Sequence, residues 1–453
     1  MSRFVPGRAG ASRCGEEMTL SMKKLARGAA LAVLAGTVAT ACAPGTAKTA
    51  TSADKQTGTV KVWLYDEANR APKEQVVAQA VADFKAKHAG VEVEVSYIPT
   101  DAGPRAEKMK GAFNDPSSAP DVVEFGNTDL FGYTASGGLA DITSDLSGWE
   151  DGKDLPQDLK DTAVVDGKTY GLPWWLGVRA LYYRTDVFTE LGLQAPTTYD
   201  ELKSAAEKVR AAHGDLLGIA VGGKYTFGAL PFVWANGGDL AAQSGSAYVS
   251  AIDSAQSQAG VKQYTDLFTD AICPAQQCAD LTGGKTVEAF AAGKAGMAIL
   301  PNSSRSAVEA GAAKGKYAIV PLPGTAAGKI APAFSGGNDL GVMKSTQHRS
   351  LAADFMKELA SKKNQLALFD AMGNLPTLSS ARAEVVQKQP WLKPFTDTIA
   401  AGTKFVPKDA AWAKIDAQNV VPTMLQKVIT GKSDVAGATK EAAAAMNASF
   451  SGK

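Results

Sequence analysis

Forty-six acidic residues, three histidines and four cysteines are the groups that could carry out catalysis or hold a metal. Their spacing argues for neither. A glycosidase needs two carboxylates at a defined separation, and nothing selects one pair from so many acidic side chains. His88, His213 and His348 stand alone, without metal-site spacing. Ser244-Gly245-Ser246 lacks the strand-to-helix setting of a nucleophile elbow, and no phosphate-cradling glycine loop is present. No catalytic residue, cofactor or metal is therefore expected. Cys273 and Cys278, in Cys273-Pro274-Ala275-Gln276-Gln277-Cys278, suit a local disulfide in an exported chain. The competing zinc reading lacks two further ligands.

Binding chemistry has better candidates, and the elements that must position them are legible. The alternating segment 60–64 delivers Tyr65, Asp66 and Glu67 to a loop, and the segment 120–125 ends in Gly126-Asn127-Thr128-Asp129. Val77, Val81 and Phe84 mark an amphipathic helix between them, and 91–95 alternates as another strand. Strand, helix, strand, helix, strand predicts an α/β fold with much parallel sheet. In such sheets ligands lie beyond the carboxyl ends of strands, which points at 65–67 and 126–129. Asp129 serves equally well as a helix cap. Asp166-Gly167 reads as a tight turn, Pro173 ends an extended segment, and 181–183 suits a strand. On a strand one of Trp174 and Trp175 must face away; Trp175 is taken as the ligand-facing one, with Arg179 nearby either on the ligand or bridging carboxylates across a hinge. Thr197 or Thr198 caps the helix near 199–212.

At 453 residues the chain has room for two domains, each with its own core. A formal net charge of +1 gives no electrostatic case for nucleic acid. Met22-Lys23-Lys24 and Arg27, followed by the small apolar stretch 28–40, read as an export signal. Ala39-Thr40-Ala41-Cys42 looks like a lipobox, with Cys42 the lipidated residue; cleavage at an Ala-x-Ala-like site is the alternative. Residues 1–41 are thus the signal, of which 1–21 precede a complete one, and Met18 and Met22 offer later starts. Residues 42–57 read as a lipidated cysteine and flexible tether.

The ordered run Gly167, Gly171, Pro173, Leu181-Tyr182-Tyr183 and Glu201-Leu202 resembles the bacterial extracellular solute-binding proteins that feed sugars to ABC importers, the group containing maltose-binding protein. Arg184 and Tyr199 depart from the usual Asn and Trp. Ala289-Phe290-Ala291-Ala292-Gly293-Lys294-Ala295-Gly296-Met297 resembles a second family block, and Gly373-Asn374-Leu375-Pro376 a third. The resemblance implies two α/β lobes around a ligand cleft with a multi-strand hinge. One lobe is 58–173 plus 336–379, the other 174–335 plus 380–453.

Carried over residue by residue, the resemblance matches Asp129 to a sugar-binding carboxylate, Phe227 to a stacking aromatic and Trp412 to the aromatic beneath the sugar. Ser303 stands where the family's maltose binder has another stacking Trp, so maltose itself is doubtful. Gly337 and Asn338 lie at the return crossing. A sugar has apolar C–H faces and a rim of hydroxyls, so its site needs aromatic platforms and planar polar groups. Trp175, Phe227 and Trp412 supply the first; Asp66, Glu67, Asn127, Asp129, Arg179 and Asn338 the second. The resemblance implies a monomer that binds a di- or oligosaccharide, docks on ABC permease subunits and touches the membrane through its lipid anchor alone. A carbohydrate-active enzyme, or a surface sensor or adhesion protein, is the alternative.

Overall fold

A six-stranded and a three-stranded sheet carry the chain, which passes between them at Val178 and again at Ser335. The computed structural model describes residues 54–67, 70–100, 102–245 and 247–452; the signal, Cys42 and most of the tether lie outside them.

The first sheet begins as predicted. Strand β1 (Gly58–Asp66) lies parallel to β2 (Val91–Pro99) and to β3 (Val122–Gly126). Helices α1 (Arg70–Lys87) and α2 (Ala102–Asn114) are the crossovers, and the short α3 (Leu130–Ala135) follows β3. Lys73, Val77, Ala80 and Phe84 form the buried stripe of α1, at helical spacing. Strand β4 (Leu172–Gly177) belongs to this sheet too, while β5 (Arg179–Arg184) belongs to the second, so the chain passes between them at Val178. Pro173 was expected to end its segment, yet it sits inside β4. It lies opposite Asp339, where the pairing register shifts between Asn338 and Asp339, so the absent N–H of proline falls at an irregularity.

The second sheet runs β6-β5-β7, with β6 (Met297–Pro301) and β7 (Tyr317–Val320) both antiparallel to β5. Residues 217–220 make two parallel bridges, Leu217 with Ala295 and Ala220 with Ala298. Gly218 explains the tight seat: a Cβ there would fall 2.1 Å from the Ala206 carbonyl oxygen. Around this sheet lie α4 (Tyr199–Ala212), α5 (Thr226–Ala235), α6 (Ala255–Thr265) and α7 (Gly283–Ala291). Thr198 caps α4 by accepting from the Glu201 N–H. Gly293, at φ +70°, turns the chain after α7. Cys273 and Cys278 form a disulfide closing a five-residue step.

The chain returns at Ser335 into β8 (Gly336–Val342), which lies antiparallel to both β3 and β4. Helices α8 (Arg349–Leu359) and α9 (Lys362–Met372) cover the first sheet, and β9 (Leu375–Pro376) completes it in the order β9-β4-β8-β3-β1-β2. The tail from 411 to 450 holds three helices, α10 (Ala411–Ala417), α11 (Val420–Ile429) and α12 (Val435–Phe450). Asn419, at φ 53°, and Gly431, at φ +69°, make the breaks. Among the described residues no helix is long and apolar enough to cross a membrane.

Asp339 on β8 is 2% exposed, and its Oδ2 has no hydrogen-bond partner. It lies against Gly171, where a Cβ would come within 2.9 Å of that oxygen. Burial pushes its carboxyl up to about 7. A native value above the unfolded one stabilises fully below about pH 4 and is lost as pH rises through about 7. Asp339→Asn should therefore raise stability at pH 8 by about 2–4 kcal/mol, the scale of a three-unit shift, and much less at pH 5. Denaturant melts at the two pH values check this.

Candidate functional site

Glu124 is the centre of the polar groups at the carboxyl edge of the first sheet. It is fully buried, two residues before the end of β3. Its Oε2 accepts from the Tyr65 N–H at 2.7 Å and from Lys73 Nζ at 2.8 Å; its Oε1 accepts from Asn338 Nδ2 at 2.6 Å and Trp175 Nε1 at 3.4 Å. Lys73, also fully buried, donates to Glu67 Oε1 at 2.9 Å and the Tyr65 carbonyl at 3.4 Å. Burial alone would lower the Lys73 ammonium, but Glu124 and Glu67 outweigh it and hold it above its ordinary value. Burial raises the Glu67 carboxyl, with Lys73 opposing.

This network brings together Tyr65, Glu67, Trp175 and Asn338, four of the residues singled out in the sequence. Trp174 is 1% exposed and donates to the Leu359 carbonyl, whereas Trp175 is half-buried on the Glu124 side. Asp66 is exposed and pairs with Arg70.

Asp129 lies in a second cluster. It precedes α3, but its side chain makes no cap hydrogen bond. Instead its Oδ2 stands 3.4 Å from the Arg105 guanidinium. Burial raises its carboxyl, with Arg105 opposing. Arg105 lies 5.4 Å over the Tyr65 ring, and the Tyr65 hydroxyl accepts from the Gly126 N–H at 2.9 Å. Tyr133 belongs to the same group; burial, with Asp129 beside it, raises its phenol. Trp412, expected as an open platform, is 2% exposed and its Nε1 has no partner. It sits on α10, which packs on the turn Asn127–Asp129 and on α3, so helix packing has covered its faces.

Arg179 faces the second lobe. Its Nε donates to the Tyr225 hydroxyl at 2.9 Å, and its guanidinium lies 5.2 Å over Phe227, 5.5 Å over Tyr225 and 5.8 Å over Phe334. Its partners are thus a phenol and rings, and it does not bridge carboxylates. Phe227 stacks on Phe334 with centroids 4.2 Å apart, which occupies one of its faces.

The hinge is tied by side-chain amides to backbone. Asn127 Nδ2 donates to the Ser335 carbonyl at 3.0 Å. Asn302, fully buried beyond β6, accepts from the Val178 N–H at 2.8 Å and donates to the Leu176 and Gly373 carbonyls. Gln365 accepts from the Thr377 and Leu378 N–H groups, and the Thr377 hydroxyl donates to the Pro173 carbonyl. Gly337 is required sterically: a Cβ would stand 2.2 Å from the Trp175 carbonyl oxygen. Ser303 is half-buried just beyond Asn302, its Cα close to Gly373.

Sequence reasoning missed Lys73, Arg105, Glu124, Tyr133 and Asn302. A carboxylate inside the apolar run 122–125 was a signal for Glu124. Among the described residues no three His, Cys, Asp or Glu side chains are grouped to hold a metal ion.

A family model described as "Bacterial extracellular solute-binding protein" matches residues 79–394. The chain is 29% identical over 384 residues to the diacetylchitobiose binding protein DasA of Streptomyces coelicolor, covering 83% of this chain and 86% of that protein. It is 26% identical over 414 residues to the galactooligosaccharide-binding protein of Bacillus subtilis, covering 89% and 92%. Among solved structures, the GacH receptor of Streptomyces glaucescens superposes with a TM-score of 0.75 at 22% identity, over 87% of this chain and 99% of that one. Maltose-bound MalE3 of T. maritima gives 0.75 at 22%, over 86% and 99%. These structural likenesses speak for the fold, a two-lobed one.

The Glu124 network makes a sharp prediction. Glu124→Ala leaves the Lys73 ammonium buried beside Glu67 alone and should cost about 3–5 kcal/mol, the scale for half of a buried pair. Glu124→Leu combined with Lys73→Met should recover most of that loss. Urea titrations of the three proteins test it.

Proposed function

The chain belongs to the bacterial extracellular solute-binding protein family, and from that premise we propose that it captures a di- or oligosaccharide between its lobes and delivers it to the permease of an ABC importer. The observation that carries this reading is Trp175. Its half-buried indole is held at the carboxyl edge of the first sheet among Glu124, Asn338 and Glu67, an aromatic face with planar polar groups beside it. That is the pairing a sugar needs, since C–H faces stack on rings while hydroxyls bond to amides and carboxylates. Relatives named for diacetylchitobiose and galactooligosaccharide support the ligand class. The ligand is bound without being chemically changed. Arg179, Phe227, Ser303 and Gly337 complete the cleft when the lobes close, and closure follows from the ligand's higher affinity for the closed form. The protein works outside the cytoplasm as a monomer, with Cys42 as its lipid anchor and two acyl signals for stable attachment.

Thermal unfolding against a panel of oligosaccharides tests the ligand class. A ligand at 100 times its Kd should stabilise by about 2.7 kcal/mol, and no shift with any sugar would point to a different solute. Trp175→Ala should weaken binding by about 1–3 kcal/mol while the unliganded melt stays nearly unchanged; calorimetric titration reads it. Cys42→Ser should move the protein from the membrane fraction to the medium, and retention at the membrane would refute the anchor.

A further inference from the structure

Arg179 is a cation whose hydrogen bonds are only partly used. Its Nε donates to the Tyr225 hydroxyl at 2.9 Å, and that hydroxyl donates in turn to the Ile299 carbonyl at 3.2 Å. Its guanidinium lies over the rings of Phe227, Tyr225 and Phe334 at 5.2, 5.5 and 5.8 Å. Phe334 is itself stacked with Phe227, at 4.2 Å, and with Phe405, at 5.8 Å. The Nε end is thus fixed in place. The two terminal nitrogens make no hydrogen bond or ion pair among the described residues, and neither is sealed from solvent.

The ring platform under Arg179 adjoins Trp175. A Cβ on Gly177 would lie 3.5 Å from the Trp175 ring, and a Cβ on Gly336, which pairs with Gly177, would lie 2.8 Å from the Phe334 ring. The indole and the platform therefore flank one pair of glycines at the crossing. Acidic side chains at the edge of the first lobe are already engaged: Glu124 and Glu67 by Lys73, Asp66 by Arg70 and Asp129 by Arg105. Asp239, just beyond α5, is engaged by Lys404. Arg179 has no counter-charge.

We propose that the two terminal nitrogens of Arg179 hold a carboxylate of the ligand, so that the sugar captured is an acidic one, a uronate-containing di- or oligosaccharide. This rests on the capture reading above. A guanidinium cannot shed its proton when closure excludes water, and a charge buried without its opposite is costly. Hydroxyls would accept its hydrogen bonds but leave that charge unbalanced. With Nε committed to Tyr225, the terminal nitrogens remain as a planar, two-pronged donor set, which matches the two oxygens of a carboxylate. A uronate also has an apolar C–H face, which suits the indole of Trp175 beside it. One sugar residue can therefore use both groups.

Calorimetric titration of the full chain with matched pairs of disaccharides tests this: digalacturonate against galactobiose, dimannuronate against mannobiose, and cellobiouronate against cellobiose, with diacetylchitobiose as a further neutral probe. One acidic member should bind about 10–100-fold tighter than its neutral counterpart, the scale of hydrogen bonds to a charged group. Arg179→Gln should bring that ratio close to one by weakening the acidic sugar alone. Arg179→Lys keeps the charge without the fork and should leave an intermediate ratio; it carries the test should the Gln variant fail to fold, which a thermal melt reads. Neutral sugars that bind as tightly as their acidic counterparts, or diacetylchitobiose binding while no acidic sugar does, overturn the proposal and leave the capture reading standing. Equal weakening of acidic and neutral sugars by Arg179→Gln also overturns it, in favour of a contact between the lobes. Binding of none of these sugars sinks the proposal and the capture reading together.

Discussion

A buried charge pair, Lys73 with Glu124, is the constraint on which the ligand edge of the first lobe depends. Both side chains are fully buried, and removing two charges from water is expensive unless each is fully satisfied. Satisfaction here recruits four separate pieces of chain: the end of β1 through Tyr65, the loop through Glu67, the crossing strand β4 through Trp175, and the returning strand β8 through Asn338. Such a pair adds little net stability compared with well-packed apolar residues. What it supplies is register, because each partner has a single place at which the hydrogen bonds close.

The hinge follows the same logic with neutral groups. Where strands leave one sheet for another, their backbone N–H and C=O groups lose their ladder partners and must find others. Asn302, Gln365, Asn127 and Thr377 provide them. Each amide bonds to backbone of a different segment, which holds the crossings together. Gly337 belongs with them, since its missing side chain lets β8 pass against the Trp175 carbonyl.

The two lobes treat their aromatic side chains differently. Phe227 and Phe334 stack on each other and carry Arg179 above them, so the second lobe presents a cationic group on a ring platform. In the first lobe, by contrast, the Asp129 carboxylate stands against the Arg105 guanidinium. The seven-residue α10 packs on the turn Asn127–Asp129 and α3 on one side and on α11 and α12 on the other.

The sequence by itself determined the α/β order, the parallel start of the first sheet, the Thr198 cap, the Asp166-Gly167 turn and the disulfide. Each depends on neighbours a few residues away, whose periodicity or turn chemistry is written locally. Alternation required one of Trp174 and Trp175 to face away, but which one was decided by the assembled sheet, where Trp174 donates to the Leu359 carbonyl and Trp175 to Glu124. Local pattern did not reveal that Trp412 is covered, that Pro173 lies within a strand, or that Arg105 and Glu124 sit in the polar clusters. Only the tertiary structure decided these. Arg105 meets Asp129, and Glu124 meets Asn338, because distant strands and helices converge at one edge; burial and charge at that edge are properties of the assembled lobes, which no single stretch of chain contains.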